Sequence, residues 1–306
     1  MSLPIYIIGH RRPDTDAICS AMALAELKQK LGVNAVAARI GHLNPETQFI
    51  IDKLGVQKPL YMTTAKSTLS EIDIDPPVLI YQDDSLLTAW DLCHDNGVKT
   101  LYVVNQNGEF VGMTTLAQIS MIQMQDLNLT SELLKKTPAE NIAETLEGRI
   151  LLQGTREFSG YVRIDDKRVN ERDLSGAIMV LSDHEDAMIK CMAKGCAAIC
   201  IAENFIPDDY IMDMAERLGV TLISTHFNTM KIIQMIYRSI PISLVMTPAK
   251  DVIRFNISEY IEDVEKEMLK TRHSNYPVVY QDNLMGSVAR YHLLKSEKKR
   301  FILVDH

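Results

Sequence analysis

Apolar residues in the first sixty positions come in short continuous runs rather than in alternation. Ile5 to Ile8 is one such run, suited to a strand buried on both faces of a parallel sheet. A polar stretch, Gly9 to Asp16, separates it from Ala17 to Leu31, which is rich in helix formers and closes at Gly32. Ala35 to Ile40 predicts a second strand. Asn44-Pro45-Glu46 combines a capping amide, a proline at the first helical position and an acid in the first turn; the helix it opens runs to Leu54, with Gly55 at its end.

Further along, the pattern changes. Ser85 to Asn96 predicts a helix, Val98 to Val104 a strand, Asn107-Gly108 a hairpin turn and Phe110 to Met113 the returning strand, with another helix from Thr115. The same order recurs near the C-terminus. Ser258 to Arg272 predicts a helix, Tyr276 to Tyr280 a strand, Gln281-Asp282-Asn283 a turn, Leu284 to Val288 a strand and Arg290 to Ser296 a helix. Aligning Leu101-Tyr102-Val103-Val104 with Tyr276-Pro277-Val278-Val279 sets Gly112 opposite Gly286 once one turn residue is skipped, which marks an internal repeat. Between the repeats, Ile178 to Leu181, Ala197 to Ala202 and Thr221 to Ser224 are strand-like. Ser182 and Glu185 stand at capping-box spacing ahead of a helix to Lys194, and Asp208 to Leu218 is a helix closed by Gly219. This middle piece predicts a small parallel α/β domain.

Composition adds limits. A chain of 306 residues with 46% hydrophobic content supports about two or three domains with cores of their own. The net charge of −8 and the lack of a long Lys/Arg run argue against a nucleic-acid partner, and leave any phosphate substrate in need of a metal. No apolar run reaches membrane-spanning length and no basic-then-apolar leader opens the chain, so no membrane is expected and a cytoplasmic setting is. The cysteines, Cys19, Cys93, Cys191, Cys196 and Cys200, include no C-x-x-C pair and suit a reducing compartment. Cys196 and Cys200 are either metal ligands or small buried hydrophobes.

The densest chemistry is Gly9-His10-Arg11-Arg12-Pro13-Asp14-Thr15-Asp16-Ala17. One imidazole and two carboxylates fall where a parallel strand hands over to a helix, the place where ligands gather in open α/β sheets. Such a mixed nitrogen and oxygen set suits Mn²⁺, Co²⁺ or Mg²⁺. The alternative is a helix start capped by Asp14 or Asp16 beside a surface histidine. Phe301 to Asp305 repeats the construction of an apolar strand with an acid at its tip, so Asp305 is placed either to join His10, Asp14 and Asp16 at one sheet edge or simply to meet solvent.

Gly-His-x-x-Pro-Asp-Thr-Asp-Ala-Ile-Cys-Ser-Ala resembles the opening motif of family II inorganic pyrophosphatases, of the DHH phosphoesterase superfamily. Arg39-Ile40-Gly41, Asn44 and Glu46-Thr47-Gln48 are similar to the next part of that family, and Ile302 to His306 to its third metal motif. The repeat resembles a pair of CBS domains, and the middle piece a DRTGG domain, although the letters DRTGG are absent. The resemblance implies the N-terminal part of a DHH-type parallel-sheet domain over residues 1–61 and an α+β CBS domain over 62–137. It continues with a parallel α/β DRTGG-like domain over 138–240, a second CBS domain over 241–298 and a returning strand over 299–306.

That resemblance implies two-metal hydrolysis of pyrophosphate, with Mn²⁺ or Co²⁺ in the centre and Mg²⁺ arriving with substrate. His10 and Asp14 would hold the first metal, Asp16 the second and Asp305 both. It also implies adenine nucleotides at the CBS pair, AMP and ADP inhibiting and ATP or diadenosine polyphosphates activating, in a homodimer. Tyr276, within Ser274-Asn275-Tyr276, would stack on adenine. Lys99, Thr114, Thr115, Leu116 and Ala117 on the first repeat and Arg290 on the second would approach phosphate. Asp251 to Asn256 would line the adenine pocket. The alternatives are a core aromatic at Tyr276, a helix cap at Thr114 and a solvated charge at Arg290. Two departures stand out. Thr115 with Gln118, and Ala289 with His292, replace the usual Thr/Ser-x-x-Asp that holds phosphate and ribose. No Asp-His-His triplet occurs; Asp183-His184-Glu185 does not substitute for it. The chain as it stands is therefore expected to be catalytically incomplete, either as part of a longer hydrolase or as a sensor with a vestigial metal site.

Overall fold

The computed structural model describes residues 4–124, 127–164, 173–271, 273–281, 283–295 and 299–304. The chain opens with β1 (Ile5–Ile8), α1 (Thr15–Lys30), β2 (Ala35–Arg39), α2 (Pro45–Leu54) and β3 (Leu60–Tyr61). Asp14 caps α1 by accepting from the Ala17 amide. Asn44 caps α2 through the Thr47 amide, Pro45 stands at its first position, and Gly55 ends it at φ 65°. The first repeat follows as β4 (Leu79–Tyr81), α3 (Leu86–Asp95), β5 (Thr100–Val104), β6 (Phe110–Thr115), α4 (Leu116–Met124) and α5 (Leu127–Leu134).

The middle piece comprises α6 (Ala139–Thr145), β7 (Arg149–Leu152), β8 (Val162–Ile164), β9 (Ile178–Leu181), α7 (Glu185–Ala193), β10 (Ala198–Ile201), α8 (Asp209–Leu218), β11 (Thr221–Ser224) and α9 (Thr229–Ile236). Its sheet has the order β7-β11-β10-β9-β8. Four strands are parallel, and β7 runs antiparallel to β11 at the edge. Side chains of β9 and β10 alternate between two cores. Ile178, Val180, Ala198 and Cys200 face one containing Ile142 and Ile232, while Met179, Leu181, Ile199 and Ile201 face the other, with Met188 and Ile211. Burial on both faces explains the unbroken apolar runs. The capping box expected of Ser182 and Glu185 does not form. Ser182 Oγ bonds His184 Nδ1 at 3.2 Å, and Glu185 begins α7 and accepts from the Asp208 amide instead.

The last elements are β12 (Thr247–Pro248), β13 (Phe255–Asn256), α10 (Ile261–Lys270), β14 (Asn275–Tyr280), β15 (Asn283–Ala289), α11 (Arg290–Lys295) and β16 (Arg300–Leu303). Two compact units result, residues 77–253 with 282–284, and residues 1–76 with 254–281 and 285–306. In the second of these, β16 returns beside β1 in a parallel sheet of order β16-β1-β2-β3, with Ile5 opposite Arg300 and Ile8 opposite Leu303. Ile7, Ala21, Ala25 and Ala35 form the core beneath it.

The repeats exchange their lead-ins. Residues before β13 join the first repeat, where β12 pairs antiparallel with β6 and Thr247 lies opposite Met113. Residues 62–76 join the second repeat, where Thr68 bridges Tyr260 and Asp75 bridges Ser287. This exchange explains the repeated glycine. A Cβ on Gly112 would meet Thr247 O at 2.5 Å, and one on Gly286 would meet Ile74 Cδ1 at 2.6 Å and Asp75 O at 2.9 Å. Both glycines are places where the lead-in backbone crosses the sheet closely. Gly112→Ala and Gly286→Ala are each expected to destabilise their own unit by about 1–3 kcal/mol, as overpacking does. Urea unfolding followed by circular dichroism checks this; a loss below about 0.5 kcal/mol, the range of a neutral surface change, would mean the lead-ins are not seated as described.

Candidate functional site

The loop after β1 opens on Gly9 and His10, and His10 Nε2 lies 3.5 Å from Asp14 Oδ1. The same oxygen accepts from the Ala17 amide at 2.9 Å, so the helix start holds that carboxylate in place. Asp16 lies in the first turn of α1 and accepts from Ser20 at 3.4 Å. Thr15 and Thr47 share a hydroxyl bond of 2.9 Å, which ties the loop to α2. Gly41 supports the loop from β2: a Cβ there would meet Pro13 Cδ at 2.5 Å and Arg11 O at 2.7 Å. His10 and Asp14 are both substantially exposed, at 38% and 52%. An imidazole and a carboxylate this close at the carboxyl end of a parallel strand fit a divalent ion's donor set. Among the described residues no three such groups converge. Asp305 lies outside the described residues; β16, which leads to it, does run beside β1.

The residues expected at a nucleotide divide between the units. Lys99, Thr114, Thr115, Leu116, Ala117 and Asp251 lie in one, and Asn256, Ser274, Asn275, Tyr276 and Arg290 in the other. Lys99, Ala117, Asp251 and Ser274 are exposed. Thr114 is fully buried, and its hydroxyl has no hydrogen-bond partner among the described residues. Asn256 holds its own turn, accepting from Ser258, while Asn275 donates weakly to Ser287 at 3.5 Å.

One expectation needs correction, and one residue gains a second role. Tyr276 offers no open stacking face: it is fully buried, packed 5.3 Å from Phe255 and edge-on to His273, with its hydroxyl bonded to Thr271. Its place in the strand makes it core. Arg290 is exposed, as its alternative reading of a solvated charge expects, and it also braces the end of α10. Its Nη2 donates to Met268 O at 2.6 Å and Thr271 O at 2.8 Å, covering the orphan carbonyls at the end of α10.

The departures at Gln118 and His292 acquire a shared role. In the first repeat the Thr115 amide donates to Gln118 Oε1 at 2.9 Å, and Gln118 Nε2 donates to Thr247 on the lead-in at 3.0 Å. In the second, the Ala289 amide donates to His292 Nδ1 at 2.9 Å, and His292 Nε2 faces Asp75 Oδ1 at 3.3 Å. Because Nδ1 accepts, the ring proton sits on Nε2 toward the carboxylate. Each side chain thus caps the strand-to-helix turn and grips the lead-in, rather than pointing out to a ribose. Tyr291 also donates to Asp75. Nothing local flagged Asp75, which is 216 positions from Tyr291.

The cysteines separate from the metal question. Cys196 and Cys200 belong to the cores on opposite faces of the middle sheet, and burial pushes both thiols up to about 12. They share no ion and stay protonated at neutral pH. Among the described residues no helix is long and apolar enough to cross a membrane.

With this geometry in place, comparison with known proteins is informative. Residues 69–122 and 242–299 match the CBS domain family, and residues 141–239 match the DRTGG domain. The chain therefore carries a CBS pair split by a DRTGG domain. It is homologous, over nearly its whole length, to manganese- or cobalt-dependent inorganic pyrophosphatases. The cobalt-dependent inorganic pyrophosphatase of Clostridium perfringens is 30% identical over 311 aligned positions, spanning 99% of this chain and 56% of that protein. The probable manganese-dependent inorganic pyrophosphatase of Thermotoga maritima is 25% identical over the same shares. The chain thus spans about half the length of these relatives. A crystal structure of the CBS and DRTGG domains of the regulatory region of the Clostridium perfringens pyrophosphatase, complexed with its activator diadenosine tetraphosphate, shares the fold. Its TM-score is 0.65 at 24% identity, over 74% of this chain and all of that one.

The Asp75–Tyr291 bond has a pH signature. The tyrosine hydroxyl, with His292 behind it, holds the Asp75 carboxyl below its ordinary value, and the carboxylate in turn raises the Tyr291 phenol. A lowered carboxyl stabilises the fold above its unfolded value, near 3.9, and that contribution fades as pH falls through the native value. A raised phenol contributes below its unfolded value, near 10, and fades as pH rises beyond it. Tyr291→Phe is expected to cost under about 1 kcal/mol near neutrality, since the carboxylate is half exposed. The difference from wild type should shrink towards both ends of the pH range. Urea midpoints across pH check this; a gap that persists undiminished into acid would assign the loss to packing.

Proposed function

We propose that these residues form the adenine-nucleotide-sensing part of a manganese- or cobalt-dependent inorganic pyrophosphatase, joined to the first metal-binding edge of its hydrolase sheet. The observation that carries this reading is topological. The CBS–DRTGG–CBS segment leaves the parallel sheet after one edge strand, β3, and returns as the other, β16, while the central strand β1 carries the His10–Asp14–Asp16 loop. In the reading, His10 and Asp14 hold one ion, Asp16 a second and Asp305 both. Bound there, two divalent ions supply an acidified water and a clamp on pyrophosphate. The protein's own part is to keep Asp14 fixed by the cap and the loop seated on Gly41. Mg²⁺ accompanies the substrate. A reducing, cytoplasmic setting and a homodimer complete the proposal.

For the CBS pair we propose AMP and ADP as inhibiting ligands and ATP or diadenosine polyphosphates as activating ones. The activator in the Clostridium perfringens regulatory region supports this choice, together with the exposed cation Lys99 beside the first strand-to-helix turn. A second reading, a nucleotide sensor with a vestigial metal loop, draws on the exposure of the His10–Asp14 pair and on no three such groups converging among the described residues.

Calorimetry with AMP, ATP and diadenosine tetraphosphate tests the sensor. Binding is expected, and Lys99→Ala should weaken it about ten-fold, the loss of one charged hydrogen bond. Tyr276→Phe, whose hydroxyl is spent on Thr271, should leave affinity within about two-fold, well inside that bond's worth. Absence of heat with all three ligands rejects the sensor.

Mn²⁺ titration tests the metal loop. Asparagine caps a helix as well as aspartate, so Asp14→Asn should spare the fold while lowering Mn²⁺ affinity about ten-fold or more. Cys196→Ala should leave it unchanged. Equal affinity in wild type and Asp14→Asn would favour the vestigial loop.

A further inference from the structure

We infer, resting on the proposed nucleotide site at its second-repeat residues Ser274 and Asn275, that Lys299 is a positioning residue that conveys nucleotide occupancy there to the His10 loop. Its Nζ donates to Lys66 O at 3.1 Å and to Glu71 Oε1 at 2.9 Å. Its side chain is only 9% exposed, against 35% for Glu71. An exposed Lys–Glu pair contributes little and wanders. An enclosed ammonium differs, because any movement that removes one partner leaves a desolvated charge uncompensated. The carbonyl and the carboxylate therefore fix where Lys299 can sit.

Its position in the chain gives that restraint a use. Lys299 immediately precedes β16, whose first residue, Arg300, pairs with Ile5 of β1. Lys66 and Glu71 lie on the segment that follows β3, the opposite edge of the same sheet. One side chain thus fastens the backbone leaving one edge of the sheet to the backbone entering the other. The outgoing segment is itself bonded along the second repeat. Leu69 and Ser70 amides donate to Glu259 O and Ile257 O, the Ile261 amide donates to Ser67 O, and Asp75 and Ser287 exchange amide bonds. Beyond these, the Asp75 carboxylate reaches Tyr291 and His292 at the turn where β15 becomes α11.

A ligand held by Asn275, whose amide reaches Ser287 Oγ at 3.5 Å, therefore acts on the Ser287–Asp75 pair and the outgoing segment, and Lys299 transfers the motion to β16. That strand lies beside β1, which ends in the His10 loop. Without Lys299, the outgoing segment still follows the second repeat, but its side-chain tie to β16 is gone.

Hydrogen–deuterium exchange on the full chain, with and without saturating diadenosine tetraphosphate, tests this, with affinity measured by calorimetry on the same samples. In wild type, ligand is expected to change exchange by about threefold or more in peptides covering residues 300–303 and 5–16, as well as in the second repeat. In Lys299→Met, affinity should stay within about twofold, a shift under about 0.5 kcal/mol, and the ligand-dependent change should be confined to the second repeat. Glu71→Gln, which leaves Lys299 its carbonyl, should give a reduced change and serves if Lys299→Met does not fold. A purely structural role would raise exchange equally with and without ligand; only the difference reports the conveying role. An undiminished difference at residues 300–303 in the variants, or none there in wild type despite binding, overturns the inference. Absence of binding in wild type overturns the sensor reading and this inference together.

Discussion

The parallel sheet that carries the His10 loop is closed by one backbone pairing, β16 against β1. Ile5 to Ile8 bond in register to Arg300 to Leu303, across nearly the whole sequence. Loop-closure entropy grows only with the logarithm of loop length, about 0.6 kcal/mol per doubling, so a parallel sheet tolerates a folded insertion of this size. Residues 67–75 bond along the second repeat, and Lys66 O and Glu71 accept from Lys299, so the two ends of the insertion are held together where the sheet edges close.

The same economy shapes the repeats. Each repeat's sheet is covered or extended by residues belonging, by sequence order, to the other. Gly112 and Gly286 mark the two crossings, and at both the backbone approaches too closely for a side chain. Gln118 and His292 are the polar counterparts of those glycines. Each satisfies a turn amide and then reaches the borrowed segment. Where the usual acidic residue would stand, each has a side chain bonded to the lead-in. Tyr276 and Arg290 follow the same logic, since both side chains that resemblance directed at nucleotide are engaged within the second repeat.

Much of the framework was legible from local chemistry. The α2 helix declared itself through Asn44, Pro45 and Gly55, and α8 through Asp208 and Gly219, because caps satisfy orphan backbone groups with residues a few positions away. The strands Ile178–Leu181 and Thr221–Ser224 were visible as apolar runs. Ser182 and Glu185 misled because capping-box spacing is also compatible with a helix that starts later and spends its glutamate on the Asp208 amide. The α9 helix was missed although Asn228 caps it. Its apolar content, split by no glycine or proline, gave no boundary to the preceding loop.

By itself the sequence determined the order of the pieces, the repeat with its glycines, and the His10-Asp14-Asp16 loop at a strand tip, since each rests on neighbours within one or two turns. Tertiary structure alone decided that the two connecting strands are the opposite edges of one sheet. It also decided that Cys196 and Cys200 face different cores, that Tyr276 is core, and that Asp75 and Lys299 join segments more than two hundred positions from their partners. Those facts depend on which backbones pack together, and a hydroxyl, an ammonium or a carboxylate reads the same in sequence whether its partner is water or a residue from the far end of the chain.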